Sequence, residues 1–157
     1  MSLRKYLNGA HLVDFHRLKM KSDDVIDLLE RFDVDVIYDF DRLHEGTPDH
    51  YSAASMAEGF ELRFDENQIV DTIWCYVRPR GHFSAIDATT IGVFIPASLS
   101  DARRHAAESE KRFSESKPES GPQSWLRIER ESLWIHYEFS GGTLSLVTLM
   151  TPMDSVA

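Results

Sequence analysis

The sequence predicts an α+β fold with helices on one face of an antiparallel sheet, and three observations carry that prediction. Residues 60–65 alternate apolar Phe60, Leu62 and Phe64 with polar Glu61, Arg63 and Asp65, the period of two that gives a sheet one dry and one wet face. Residues 22–32 place Val25, Leu28, Leu29 and Phe32 at i, i+3, i+4 and i+7, the apolar stripe of a helix laid on a sheet. The last third of the chain holds further extended runs and a Gly141-Gly142 pair suited to a hairpin turn. At 157 residues there is room for one domain with a real core, and too little for two ordinary independent ones. Residues 1–157 therefore read as a single domain.

In chain order, Leu3, Tyr6 and Leu7 form one amphipathic turn closed by Gly9, and Leu12, Val13, Phe15 and Leu18 lead into the first full helix. Ser22 caps that helix, Asp23 and Asp24 face the positive end of its dipole, and it should stop near Asp33. From 33 to 41 the period changes to two. Val34, Val36, Tyr38 and Phe40 share one face, while Asp33, Asp35, Asp39 and Asp41 share the other with Ile37 among them. This predicts an edge strand with an acidic face.

Gly46, Pro48 and Asp49 mark the stretch 42–55 as a loop. Residues 60–77 then read as a hairpin turning at Glu66, Asn67 and Gln68. In its second strand Ile73, Cys75 and Val77 point one way and Thr72, Trp74 and Tyr76 the other, which places that strand inside the sheet. Residues 82–96 read as partly extended through Ile91, Val93, Phe94 and Ile95. A second helix is expected from Ser100, with Asp101 in its first turn and Ala102, Ala106, Ser109 and Phe113 on its inner face. Residues 114–124 read as a polar loop, followed by strands at 125–129, 133–139 and 144–150.

Composition excludes several classes of function. With 42% hydrophobic and 27% charged residues the chain is globular rather than disordered. Seventeen Lys and Arg against 26 Asp and Glu give a net charge of -9, and without a basic patch a phosphate backbone is repelled, so nucleic acid is not an expected partner. Cys75 is the lone cysteine, which rules out an intramolecular disulfide and suits a reducing compartment. No window approaches the roughly 18 apolar residues of a membrane span, and the N-terminus lacks the apolar core of a secretory signal. The expectation is a soluble, cytoplasmic protein with no membrane association.

The two halves share a plan: capped helices at 22–32 and 100–113, then hairpins FELRFDENQIVDTI and IHYEFSGGTLSLVTL. This suggests internal repeats at 20–77 and 91–150, since one helix-plus-hairpin unit cannot bury its apolar face alone. The helix, the polar loop and the run WLRIERESLWIHYEFSGGTLSLVTLM resemble the tandem repeat of the beta-lactamase-inhibitor-protein-like and outer-membrane-assembly-lipoprotein group. The hairpin wording also resembles small bacterial immunity partners of polymorphic toxins. That resemblance implies a bacterial protein that acts by presenting a surface to another protein, and it brings no catalytic residues with it.

The expected contact surface is acidic. Ten of the carboxylates fall between Asp23 and Asp49 against Arg31 and Arg42, so nearly all the net charge comes from this stretch. Such a field speeds encounter with a basic partner; as a plain solvated face it would instead keep strand edges from pairing. Asp33, Asp35, Asp39, Asp41 and Glu45 are the candidate partner-binding residues, and a basic toxin domain, neutralised by occlusion, is the expected partner. No metal or other cofactor is expected: Ile37 stands where a calcium loop needs a ligand, and no glycine follows it.

Of seven histidines none lies in an HExxH context. His136, two residues from Glu138 on one strand face, is the alternative focus for a small enzyme with a dispersed polar site. Trp74, Trp125 and Trp134, with Tyr76 and Tyr137, read first as core residues and second as interface anchors. A third reading is a structural subunit that self-associates through a strand edge, and the sequence leaves the oligomeric state open.

Overall fold

A computed structural model describes residues 1–40, 43–117 and 122–153. Among them three helices, α1 (Leu3–Leu7), α2 (Asp23–Arg31) and α3 (Leu99–Glu108), accompany eight strands. These are β1 (Ile37–Asp39), β2 (His50–Ser55), β3 (Phe60–Phe64), β4 (Val70–Tyr76), β5 (Phe113–Glu115), β6 (Gln123–Glu129), β7 (Trp134–Ser140) and β8 (Thr143–Met150). All eight join one antiparallel sheet in the order β1-β2-β3-β4-β8-β7-β6-β5. The fold is α+β, as the alternation and the helical stripe predict.

The seam between β4 and β8 organises the sheet. Ile73 lies opposite Leu149 and Cys75 opposite Val147, and all four side chains are fully buried. They continue a dry face through Phe60, Leu62 and Phe64 of β3, Ile135, Tyr137 and Phe139 of β7, and Leu126 and Ile128 of β6. The same core takes in Leu3 and Leu7 of α1, Val25, Leu28 and Leu29 of α2, and Ala102 and Ala106 of α3. The helices thus cover the face that period two made apolar. Each large apolar side chain buried this way contributes about 1.5–3 kcal/mol.

Local chemistry sets the element ends. Ser22 Oγ accepts from the Val25 N–H at 3.5 Å to start α2, and Asp33, at φ +51°, stops it in the left-handed region. Gly141 and Gly142 both carry positive φ and connect β7 to β8. At the β3–β4 turn Asp65 Oδ1 accepts from the N–H groups of Asn67 (2.8 Å) and Ile69 (3.0 Å), an Asx turn in place of glycine.

Several sequence expectations need correction. Within 42–55, expected to be loop, residues 50–55 form β2, paired on both sides to β1 and β3, with the small side chains of Ala53 and Ser55 buried. Residues 82–96 contain no strand; a 3-10 turn at Ala88–Thr90, capped by Asp87, delivers Ile86 and Ile91 into the core. The second helix starts earlier, with Ser98 as its cap, and ends before Phe113, which belongs to β5. The expected loop 114–124 thereby loses its ends to β5 and β6, and its residues 118–121 lie outside the described residues. The expected strand 33–41 shortens to Ile37–Asp39, since Asp33 and Val34 still close the helix.

Candidate protein-binding surface

The helices leave the other face of the sheet uncovered, and strand parity decides what it displays. Antiparallel register aligns Arg127, His136, Thr148, Trp74 and Glu61 in one row across β6, β7, β8, β4 and β3. The adjacent row runs Glu129, Trp134, Met150, Thr72 and Arg63. Trp74, Trp125 and Trp134 are half-buried on this face, whereas Tyr137 lies in the core and donates its hydroxyl to the Phe94 carbonyl at 2.6 Å. For the three tryptophans the first reading of the sequence is corrected: the core belongs to the opposite parity.

Arg127 is the centre of this face. Its guanidinium stands 4.4 Å from the Trp134 ring centre and 5.4 Å from that of Trp125, a cation–π sandwich in which each contact contributes on the order of 0.5–2 kcal/mol. One arm reaches Glu129 at 3.4 Å, and Glu129 also meets Arg112 at 3.6 Å and accepts from Ser114 Oγ at 3.2 Å. Trp125 in turn stacks on His136 with ring centres 5.2 Å apart. The face is therefore aromatic, with Arg127 tied to two rings and to Glu129. Sequence reading did not single out Arg127, although Trp125 and Arg127 stand two apart, on one side of a strand.

His136 does not have the electrostatics of a general base at neutral pH. Burial, and then the neighbouring Arg127 charge, push its pKa down to about 4. Glu138 faces Trp125 in the register, whereas His136 faces Arg127. At the other end of this face burial holds Glu61 above the usual carboxylate range, against the hydrogen bond it accepts from the Tyr76 hydroxyl at 3.3 Å.

The predicted acidic residues fall on different elements. Asp23, Asp24 and Asp27 lie on α2, in the helical layer, where Asp27 accepts from the Tyr6 hydroxyl at 2.6 Å. Asp33 and Asp35 are exposed between α2 and β1, and Glu45 is exposed in the segment before β2. Asp39 sits on β1, 3.4 Å from His50 Nε2 and within 3.5 Å of Ser52 Oγ. Asp41 lies outside the described residues.

Around these carboxylates the chain exposes apolar surface. Five of the ten exposed large hydrophobic side chains among the described residues, Val36, Ile37, Tyr38, Phe40 and Leu43, fall within one stretch, with Ile37 at 60% and Leu43 at 75%. Apolar patches of this kind mark interaction sites more often than scattered exposed residues do. Tyr38 stacks on Tyr51 at 5.0 Å and donates its hydroxyl to Asp49 at 2.5 Å, so the stretch is held by its aromatic ring as well as by three residue pairs to β2.

Among the described residues no group of three or more His, Cys, Asp or Glu side chains is placed to hold a metal ion, and no helix is long and apolar enough to cross a membrane. Cys75 is buried, and burial pushes its thiol up, away from reactive thiolate. Fold and surface together define an α+β protein with one face of its sheet uncovered. No family model, curated protein or solved structure matches this chain.

Proposed function

We propose that this chain is a non-enzymatic protein-binding module of the bacterial immunity type, acting in the cytoplasm to neutralise a toxin domain by occlusion. The observation that carries the reading is the uncovered sheet face, where Trp125 and Trp134 bracket Arg127 and Trp74 stands one strand beyond β8. Trp and Arg are the residue types that dominate binding energy in interfaces, above all when their neighbours already fix their rotamers. The acidic stretch at Asp33, Asp35, Asp39, Asp41 and Glu45 steers a basic partner toward that face.

The proposal includes two related units within the one sheet. Support comes from the order of elements: α2-β1-β2-β3-β4 is followed by α3-β5-β6-β7-β8, and the last strands of the two sets lie side by side. The wide sheet face would then be a composite of both units.

Co-purification with the product of the neighbouring reading frame tests the reading. With that complex in hand, Trp134→Ala and Arg127→Ala should each weaken binding by at least roughly tenfold, chiefly through faster dissociation. Charge reversal at Asp35 and Asp39 should instead slow association and flatten its dependence on salt. Unchanged affinity in both face variants would remove the sheet face as the contact surface.

A further inference from the structure

We propose that the outer edge of β1 accepts an extended segment of the partner protein as an added strand, one whose side chains alternate between basic and apolar. β1 ends the sheet, and among the described residues no strand lies outside it. An edge strand turns alternate N–H and C=O groups away from its neighbour, a ready template for another chain. Sheets usually guard such edges with charge, proline or a bulge. Apart from the charge of Asp39, β1 has none of these guards, exposing Ile37 on one face and Tyr38 on the other, with the exposed Phe40 just beyond the strand.

The opposite edge shows the contrast. In β5 Phe113 is half-buried, and Glu115 is held by Arg103 of α3 at 3.0 Å, which ties the strand back to the helical layer. No residue of β5 belongs to the exposed apolar set.

Parity then specifies the occupant. Ile37 and Asp39 stand on the uncovered face with Ser52 and Arg63, while Tyr38 points to the helical side and stacks on Tyr51. On the uncovered face an added strand meets the Asp39 carboxylate beside Ile37, and on the other face the Tyr38 ring, so the aliphatic stem and charge of Lys or Arg fit the first set and apolar residues the second. The surrounding sequence strengthens the choice, with six carboxylates between residues 33 and 49 against Arg42 alone. A second copy joined β1 to β1 would set acidic strands against each other, and like charges across a strand pair repel.

The inference rests on the protein-binding reading above and adds a contact that the sheet face does not supply. It can be tested on the full chain with three peptides of about eight residues, an ordinary strand length. One alternates Lys and Val, one alternates Glu and Val, and one is the Lys-Val peptide with alternate backbone nitrogens methylated. Only the unmodified Lys-Val peptide should bind, and it should slow hydrogen exchange of amides in residues 36–40 by about tenfold or more. Asp39→Lys should abolish that protection while β4 and β8 amides stay protected, which shows the variant folded. Trp134→Ala should leave peptide binding unchanged.

Three results would overturn the proposal. The Lys-Val peptide could bind without protecting β1 amides, which would be charge attraction alone. The methylated peptide could bind as well as its parent, which would exclude backbone pairing. Protection of residues 36–40 could rise with protein concentration in the absence of peptide, which would give the edge to a second copy. If any of these occurs while partner binding still responds to Trp134→Ala, strand addition fails and the binding reading stands; if Trp134→Ala is also silent, both fail.

Discussion

His136 shows how burial and one neighbouring charge fix a residue's chemistry. Stacked on Trp125 and lying near Arg127, it is neutral at neutral pH because burial first and the guanidinium second lower its pKa to about 4. As pH falls from the ordinary histidine value of 6.5 toward about 4, the unfolded chain takes up this proton before the folded one. Stability contributed by the neutral ring is therefore complete above that window and is lost as pH drops through it. Denaturant titrations at about pH 7 and about pH 4.5 should show a smaller loss in His136→Gln than in the parent. His16, lowered by burial and then by Arg17, works in the same direction, and Glu61 and Asp71, both raised by burial, work against it, so the difference between variant and parent is the quantity to measure. Gly59 makes a backbone counterpart. At φ +81° a Cβ there would stand 2.4 Å from the Ser84 carbonyl oxygen and 2.7 Å from the Ile86 nitrogen, both backbone atoms with little room to yield. Gly59→Ala should destabilise by well over about 1 kcal/mol, measured by denaturation, since the left-handed conformation and the clash add.

Among the elements, those with strong local chemistry were legible in the sequence. α2 follows from Ser22 and the stripe Val25, Leu28, Leu29; β3, β4, β7 and β8 follow from period two and the Gly141-Gly142 turn. β2 was not legible because HYSAAS pairs small and polar side chains, and only its neighbours β1 and β3 make it a strand. Residues 82–96 misled in the opposite sense, since Ile91, one of the apolar residues that suggested an extended run, plugs the core from the end of a 3-10 turn. For the uncovered sheet face, parity put Trp74, Trp125 and Trp134 on one side of their strands, yet which side the helices would cover is a tertiary outcome that no single strand encodes. The caps give an element-level test. Ser98 Oγ accepts from the Asp101 N–H at 3.1 Å, and the Asp101 carboxylate accepts from the Ala97 N–H at 2.9 Å, whereas Ser22 makes one longer bond of 3.5 Å. Ser98→Ala should cost about 1 kcal/mol in thermal or urea denaturation and more than Ser22→Ala.

For the whole molecule the deciding structure is the seam between β4 and β8. If the two helix-plus-strand units were independent, each would expose one of these strands as a bare edge carrying Ile73 and Cys75 or Val147 and Leu149, side chains that are fully buried in the joined sheet. The cost of separating them falls on both halves equally, so the chain should unfold in one transition. Tryptophan placement allows a direct check, because Trp74 lies in β4 of the first half and Trp125 and Trp134 lie in β6 and β7 of the second. Variants retaining only Trp74 or only Trp134 should report the same denaturation midpoint by fluorescence. Ile73→Ala, which opens the seam from the first half, should lower stability by about 2–5 kcal/mol and shift both reporters together. Leu149→Ala, its direct cross-strand partner, should act comparably from the second half, and the double variant should lose less than the sum because the two side chains share one contact. A Trp134 midpoint that stayed in place while that of Trp74 moved would mean that the halves fold separately, and the proposed sheet-face contact would then not span both halves.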